Sequence, residues 1–190
     1  MTIGWTTAHV PTLNEAPQIF LEEQLARARS GEPAALKSLI QAHRRLVYSL
    51  ALRMLGTRDL AEDLTQDVFM QLHAKLKTIE SPGHLTFWLR KVTTHRAIDQ
   101  LRRRTRVPMT SLQDEHEGSA VEDGGDPLWQ RHLRLLLLDL AAPARAVVLL
   151  RFQEDLDPGD IARTLGMSVN TVKSHLKRSL ETLRQRTIRP

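Results

Sequence analysis

Asn170, Thr171, Lys173, Ser174, Lys177 and Arg178 lie on one side of a segment whose other side carries Val169, Val172 and Leu176. Amide and hydroxyl groups exchange hydrogen bonds with base edges or phosphates, while ammonium and guanidinium groups add a salt-sensitive attraction to phosphate. Such a surface suits the major groove of DNA, although an ordinary helix hairpin with a polar outer face would present the same groups. Bond-making chemistry has no comparable support. The eight His are scattered without a ligand-spaced pair, the single Tyr48 lies in an apolar stretch, and there is no Cys. An enzyme acting on DNA needs a nucleophile or a metal cluster with supporting geometry. These residues point to binding without catalysis, and neither a cofactor nor a metal is expected.

Charge is distributed to match. The net charge of +5 and pI near 10.1 suit an acidic partner, but a modest excess of this size also occurs on plain soluble proteins. Position says more. From Leu85 to Arg106 seven Arg or Lys stand against Asp99 alone, and from Arg163 to Arg189 another seven stand against Glu181 alone. Between these blocks, Gln113 to Asp126 holds six carboxylates and no Lys or Arg. Two basic modules on an acidic tether are expected, both facing nucleic acid.

The elements that must position these groups read as helices. Leu, Ala and Arg are abundant, aromatics are 4%, and there are only 9 Gly and 9 Pro, which favours helix over sheet. Residues 1–18 lack periodicity and read as a flexible leader. Helical spacing starts at Ile19 and reaches Arg29; Ser30-Gly31-Glu32-Pro33 ends that helix and opens the next, which runs to Leu55. Gly56 closes it, Thr57 is placed to cap a third helix, and Leu60, Leu64, Val68 and Leu72 form that helix's core stripe. A fourth helix spans Leu85 to Arg104, with Leu85, Trp88, Leu89 and Val92 on one side and Phe87, Ile98 and Leu101 nearly opposite. Two apolar sides mean that this helix is sandwiched in its domain or offers apolar surface to a partner.

Residues 107–126 are too polar to make a core and read as a flexible linker. Beyond it, helices are expected over Leu128–Leu140, Pro143–Gln153, Pro158–Gly166 and Ser168–Arg186. The fold class is all-α, with two small helical domains at 19–106 and 127–190.

The last two helices carry a helix-turn-helix pattern. Ala162 is small enough for close helix approach, Gly166 supplies the positive φ of the turn, and Val172 plugs the angle between the helices, with Ile161 and Leu165 completing the core side. Ser168 is placed to cap the second helix.

Two longer segments resemble one family. AEDLTQDVFMQLHAKL followed by FWLRKVTTHRAIDQLRR is similar to the second conserved region of bacterial RNA polymerase sigma factors, and LLRFQEDLDPGDIARTLGMSVNTVKSHLKRSLETLR resembles their fourth. The order of the halves, the acidic connector and the lack of a sizeable third domain resemble the extracytoplasmic-function (ECF) group. The resemblance implies a sigma region 2-like domain that binds core polymerase and the minus-ten element. It implies a region 4-like helix-turn-helix domain that binds the minus-thirty-five element through Ser168 and the six polar residues that follow it.

It further implies that Asp59, Glu62, Asp63, Gln66 and Asp67 dock on the β′ clamp helices; acids in a first helical turn also complement the macrodipole. Ser81 and His84, in an expected loop, and Arg90, Lys91, His95, Arg96, Arg102 and Arg103 on the fourth helix would melt and read the minus-ten strand. There the cations would track phosphates, while His95, and Trp88 if it is not core, would meet unstacked bases. The β flap, promoter DNA and a separate anti-sigma factor complete the implied partners.

Some positions depart from the family pattern. His95 stands where many relatives carry Asn, Asn170 where they carry Gly, His175 where they carry Arg, and Leu140-Ala141-Ala142-Pro143 where they have Leu-Pro. Promoter sequence is therefore not transferable. A LuxR-type transcriptional regulator is the alternative, since SVNTVKSHL fits its helix-turn-helix equally well; it would need a receiver or ligand-sensing domain in front. With no secretory signal and no bilayer-spanning apolar run, a soluble cytoplasmic protein without membrane insertion is expected.

Overall fold

The computed structural model describes residues 16–106 and 127–188. Helix α1 spans Ala16–Arg29, α2 Pro33–Leu55, α3 Arg58–Lys75 and α4 Pro82–Arg106, with one 3₁₀ turn at Leu76–Thr78. The second half holds α5 at Pro127–Leu138, α6 at Ala142–Phe152, α7 at Pro158–Leu165 and α8 at Val169–Ile188. Every described element is helical, as composition predicts. The linker reading of 107–126 lies outside the described residues, as does the leader reading up to residue 15. Residues 16–18 belong to α1, so this helix begins before Ile19.

The start of α4 also lies three residues earlier than expected. Its first turn includes Pro82 and Gly83, because Ser81 acts as the cap: the His84 N–H donates to Ser81 Oγ at 3.1 Å and the Leu85 N–H to the Ser81 carbonyl at 2.9 Å. Proline at the first helical position lacks only an N–H that would have no helical acceptor. The expected loop at Ser81 to His84 is thus a capped helix start. Thr57 has the extended backbone of a cap for α3, but its hydroxyl is buried and makes no capping bond.

In the first half α2 is central and touches α1, α3 and α4. Leu39, Val47, Leu50 and Met54 on α2 meet Leu64, Val68 and Leu72 on α3 and Leu85 and Leu89 on α4 in one buried cluster. The same cluster continues through Ala146, Val147, Leu149 and Leu150 of α6 to Ile161, Leu165 and Val172. The halves pack against each other. Gly56, which ends α2 in the left-handed conformation (φ 85°), lies so close to α5 that an added Cβ would be 2.9 Å from Leu138 Cδ2. Buried Arg145 of α6 donates to the carbonyls of Met54 and Leu138, and to that of Leu140 at 3.0 Å; Arg134 donates to the Gly56 carbonyl. Helix α4 is sandwiched, with α1, α2 and α3 as neighbours and also α6 and α7. That answers the question its two apolar sides pose.

Candidate nucleic-acid interface

The helix-turn-helix forms as its residue types require. Asp157 caps α7 by accepting the Asp160 N–H at 2.8 Å, a bond that holds the Asp157 carboxyl below its ordinary pKa. Gly166 closes α7 with φ 66°, Ala162 and Leu165 are buried, and Val172 is fully buried between the helices. Ser168 then caps α8, its Oγ accepting the Thr171 N–H at 3.1 Å. Asn170, Thr171, Lys173, Ser174, Lys177 and Arg178 are all exposed on α8. The Ser168 and Thr171 hydroxyls are 2.8 Å apart and bonded to each other, so Asn170 and Ser174 are the polar groups with no such tie.

The cations of α4 are placed differently. Lys91, His95, Arg96, Arg102 and Arg103 are exposed, with the Lys91 ammonium 6.0 Å from the Phe87 ring centroid. Arg90 is half-buried and its Nε donates to Glu154 Oε2 at 2.9 Å. His95 Nε2 donates to the Thr164 carbonyl at 3.0 Å. Both contacts reach into the second half of the chain. Trp88 is half-buried against the core, which is the role to be weighed against base stacking. Ser81 is occupied as a cap, and His84 Nδ1 accepts the Glu80 N–H at 3.3 Å.

On α3 the core stripe and the acids separate cleanly. Leu64, Val68 and Leu72 are buried, whereas Asp59, Glu62, Asp63, Gln66 and Asp67 are exposed. An exposed salt bridge of 3.8 Å joins Asp67 to Arg96 of α4, a contact of little energetic weight. It places the acidic face of α3 beside the cationic part of α4.

Two residues escaped the sequence reading. Met70 is 65% exposed on the acidic face of α3, and the signal was available: it follows Asp63 by seven and Gln66 by four, off the leucine stripe. Glu154 holds Arg90 from 64 positions away, and no local pattern announces that pairing. Among the described residues no group of three or more His, Cys, Asp or Glu is arranged to hold a metal ion.

Residues 39–107 match the sigma-70 region 2 family and residues 130–183 match sigma-70 region 4, together well over half of the chain. Over 164 residues the chain is 33% identical to the ECF RNA polymerase sigma factor SigE of Mycolicibacterium smegmatis, covering 82% of this chain and 63% of that protein. Over 183 residues it is 24% identical to the ECF RNA polymerase sigma factor SigW of Bacillus subtilis, covering 88% and 97%. The chain therefore spans somewhat under two thirds of the first relative and nearly all of the second. Among solved structures, the sigma factor RpoE of Bartonella quintana, in complex with the anti-sigma factor NepR, superposes with a TM-score of 0.62 at 24% identity, over 79% of this chain and 92% of that one. CnrH, in complex with the cytosolic domain of CnrY, superposes with 0.62 at 21% identity, over 87% and 96%. These superpositions show a shared fold. The LuxR-type alternative finds no support, since the first half is helical throughout its described residues and matches region 2.

Proposed function

This chain belongs to the sigma-70 family of RNA polymerase sigma factors, in its ECF group, and from that premise we propose how its surfaces divide the work of starting transcription. It binds core RNA polymerase and directs promoter recognition, DNA melting and initiation. Catalysis stays with the polymerase. Residues 19–106 form the unit for core and minus-ten binding, and residues 127–190 the unit for the minus-thirty-five element.

The observation that carries this reading is the open outer face of α8, held by a capped and correctly turned helix-turn-helix in the same chain as an acid-faced α3 and a cationic α4. Lys173, Lys177 and Arg178 attract phosphates and set the register, while Asn170, Thr171 and Ser174 approach base edges. On α3, Asp59, Glu62, Asp63, Gln66 and Asp67 form an exposed polar face that ends at exposed Met70 and is suited to the β′ clamp helices. On α5, exposed Leu128, Trp129, Leu133 and Leu135 offer apolar surface to the β flap. On α4, Lys91, Arg96, Arg102 and Arg103 track the backbone of the melted strand, and His95 meets an unstacked base. Ser81 and His84 act at the start of that helix, where Ser81 is first of all the cap.

The protein works in the cytoplasm, where the polymerase is; no described helix is long and apolar enough to cross a membrane. A separate anti-sigma factor regulates it, as the complex of its structural relative with NepR suggests. Run-off transcription from genomic fragments tests the whole reading. Discrete transcripts are expected only when chain and core polymerase are both present. Transcription indifferent to the chain, or strand nicking by the chain alone, overturns it.

A further inference from the structure

We propose that the free chain pairs with a second copy of itself, the outer face of α3 lying antiparallel on the same face of its partner in a reversible two-fold dimer. The order of charges along one line of that face carries the proposal. Asp59, Asp63, Gln66, Met70, His73 and Lys77 follow one another at alternating steps of four and three residues, the spacing that keeps side chains in register along a helix packed lengthwise on another. All six are exposed, with Lys77 on the 3₁₀ turn that continues α3. The line is acidic at its start, neutral at its middle and basic at its end. Turned end for end about the level of Val68, it becomes its own complement: Asp59 meets Lys77 of the partner subunit, Asp63 meets the partner's His73, and Gln66 meets the partner's Met70.

The charges on this line are available. Among the described residues none of Asp59, Asp63, His73 and Lys77 makes a salt bridge, whereas Asp67, to one side of the line, meets Arg96. The basic end is reinforced by its surroundings. His73 and Lys77 line a groove of about 690 Å³ between α1, α2 and the end of α3, with Arg29, Lys37 and Arg44 on the same walls. The one carboxylate there, Glu32, is bonded to Arg27 at 2.8 Å. The groove thus holds an unbalanced positive field, which suits the acidic first turns of a second α3, Glu62 included. Antiparallel alignment also sets the N-terminal end of each helix dipole beside the C-terminal end of the other. Each contact is made twice about the axis, so the assembly closes at two copies and does not extend into a filament. Met70, 65% exposed in the single chain, is covered near the centre. One helix face per copy gives an interface at the small end of specific ones, and the pair is therefore reversible. A competition follows that rests on the assignment of this face to the β′ clamp helices: core polymerase and the second copy cannot hold α3 at once.

Sedimentation velocity of the full-length chain without polymerase tests the dimer. Wild type should move from one-chain to two-chain mass as its concentration rises into the high micromolar range, and return to one chain at high salt. Asp59→Lys and Lys77→Asp, each alone, set like charges opposite each other twice about the axis and should weaken association at least about tenfold, with helicity by circular dichroism unchanged. An equimolar mixture of the two variants should recover association, since each then meets the opposite charge in its partner. A wild type that stays monomeric throughout overturns the proposal, as do single variants that associate like wild type or a mixture that recovers nothing. Core polymerase added to the dimer should draw off one chain per polymerase; two chains retained per polymerase overturn the competition. If the charge swaps govern the dimer as described but Asp63→Lys with Asp67→Lys leaves core binding unchanged, the clamp-helix assignment is wrong and the dimer stands. If that double variant loses core binding while wild type never dimerises, the dimer alone is wrong.

Discussion

Helices α8 and α4 carry cationic faces of similar composition, yet the structure treats them oppositely. All six polar residues of the α8 face point outward, and the core beneath them is closed by Val172. On α4 Lys91, His95, Arg96, Arg102 and Arg103 are exposed, but Arg90, half-buried, and His95 are bonded to groups of the other half. Charge patterning locates a cationic face; long-range packing decides which of its groups are engaged within the chain. Helix α8 packs on α5, α6 and α7, all within its own half, whereas α4 has neighbours on both flanks that come from distant parts of the chain.

If the α8 face depends on a local plug, Val172→Asp should have the largest effect on stability. Burying an unpaired carboxylate at a fully buried position should destabilise the second half by about 3 kcal/mol or more and abolish duplex binding. Chemical denaturation followed by circular dichroism measures it, and a loss under about 1 kcal/mol would mean the plug is not structural. If the halves are joined as described, Arg145→Ala comes next. It strips donors from the carbonyls of Met54, Leu138 and Leu140, and the expected loss is about 2–4 kcal/mol. Burial also presses the Arg145 pKa down from its ordinary value, so desolvation offsets part of what its bonds contribute. Arg145→Lys should recover little, since one ammonium cannot span the carbonyls that a planar guanidinium reaches.

Gly56→Ala probes the same seam more gently. A left-handed backbone costs a non-glycine residue about 1–2 kcal/mol, and the new Cβ must displace the tip of Leu138. Coupling with Leu138→Ala in a double-mutant cycle isolates the second effect. Purely additive losses would show that α5 does not rest on that turn in solution. Lys177→Ala should have the smallest structural effect. It should leave stability unchanged and lower the slope of log affinity against log salt by about one phosphate equivalent on every promoter tested. An unaltered slope removes Lys177 from the phosphate-binding set.

Sequence reading succeeded where structure is dictated locally. The span of α2 from Pro33 to Leu55, the stop at Gly56, the turn at Gly166 and the cap at Ser168 all follow from conformational preferences acting over a few residues. Ser81 to His84 reads as a loop when Pro and Gly count only as breakers, whereas a proline directly after a capping serine begins a helix. The two apolar sides of α4 were legible, but not what covers the second, since α6 and α7 arrive from beyond residue 126. For the same reason Glu154 carried no signal, and neither did the role of Arg145 as a tie between halves. Of the candidate site, the exposed faces of α3 and α8 could be read from periodicity. The engagement of Arg90 and His95 could not.

The division of labour between the two helices is tested most directly by transcription from a promoter panel, with every base substituted singly in the minus-ten and minus-thirty-five elements, using core polymerase with wild type, His95→Ala and Ser174→Ala. His95→Ala should alter base preference within the minus-ten element alone, and Ser174→Ala within the minus-thirty-five element alone, each by about 1–3 kcal/mol at one or two positions. If both variants keep the wild-type preferences throughout, or if either shifts preference in the other's element, the assignment of α4 and α8 to the two promoter elements is wrong.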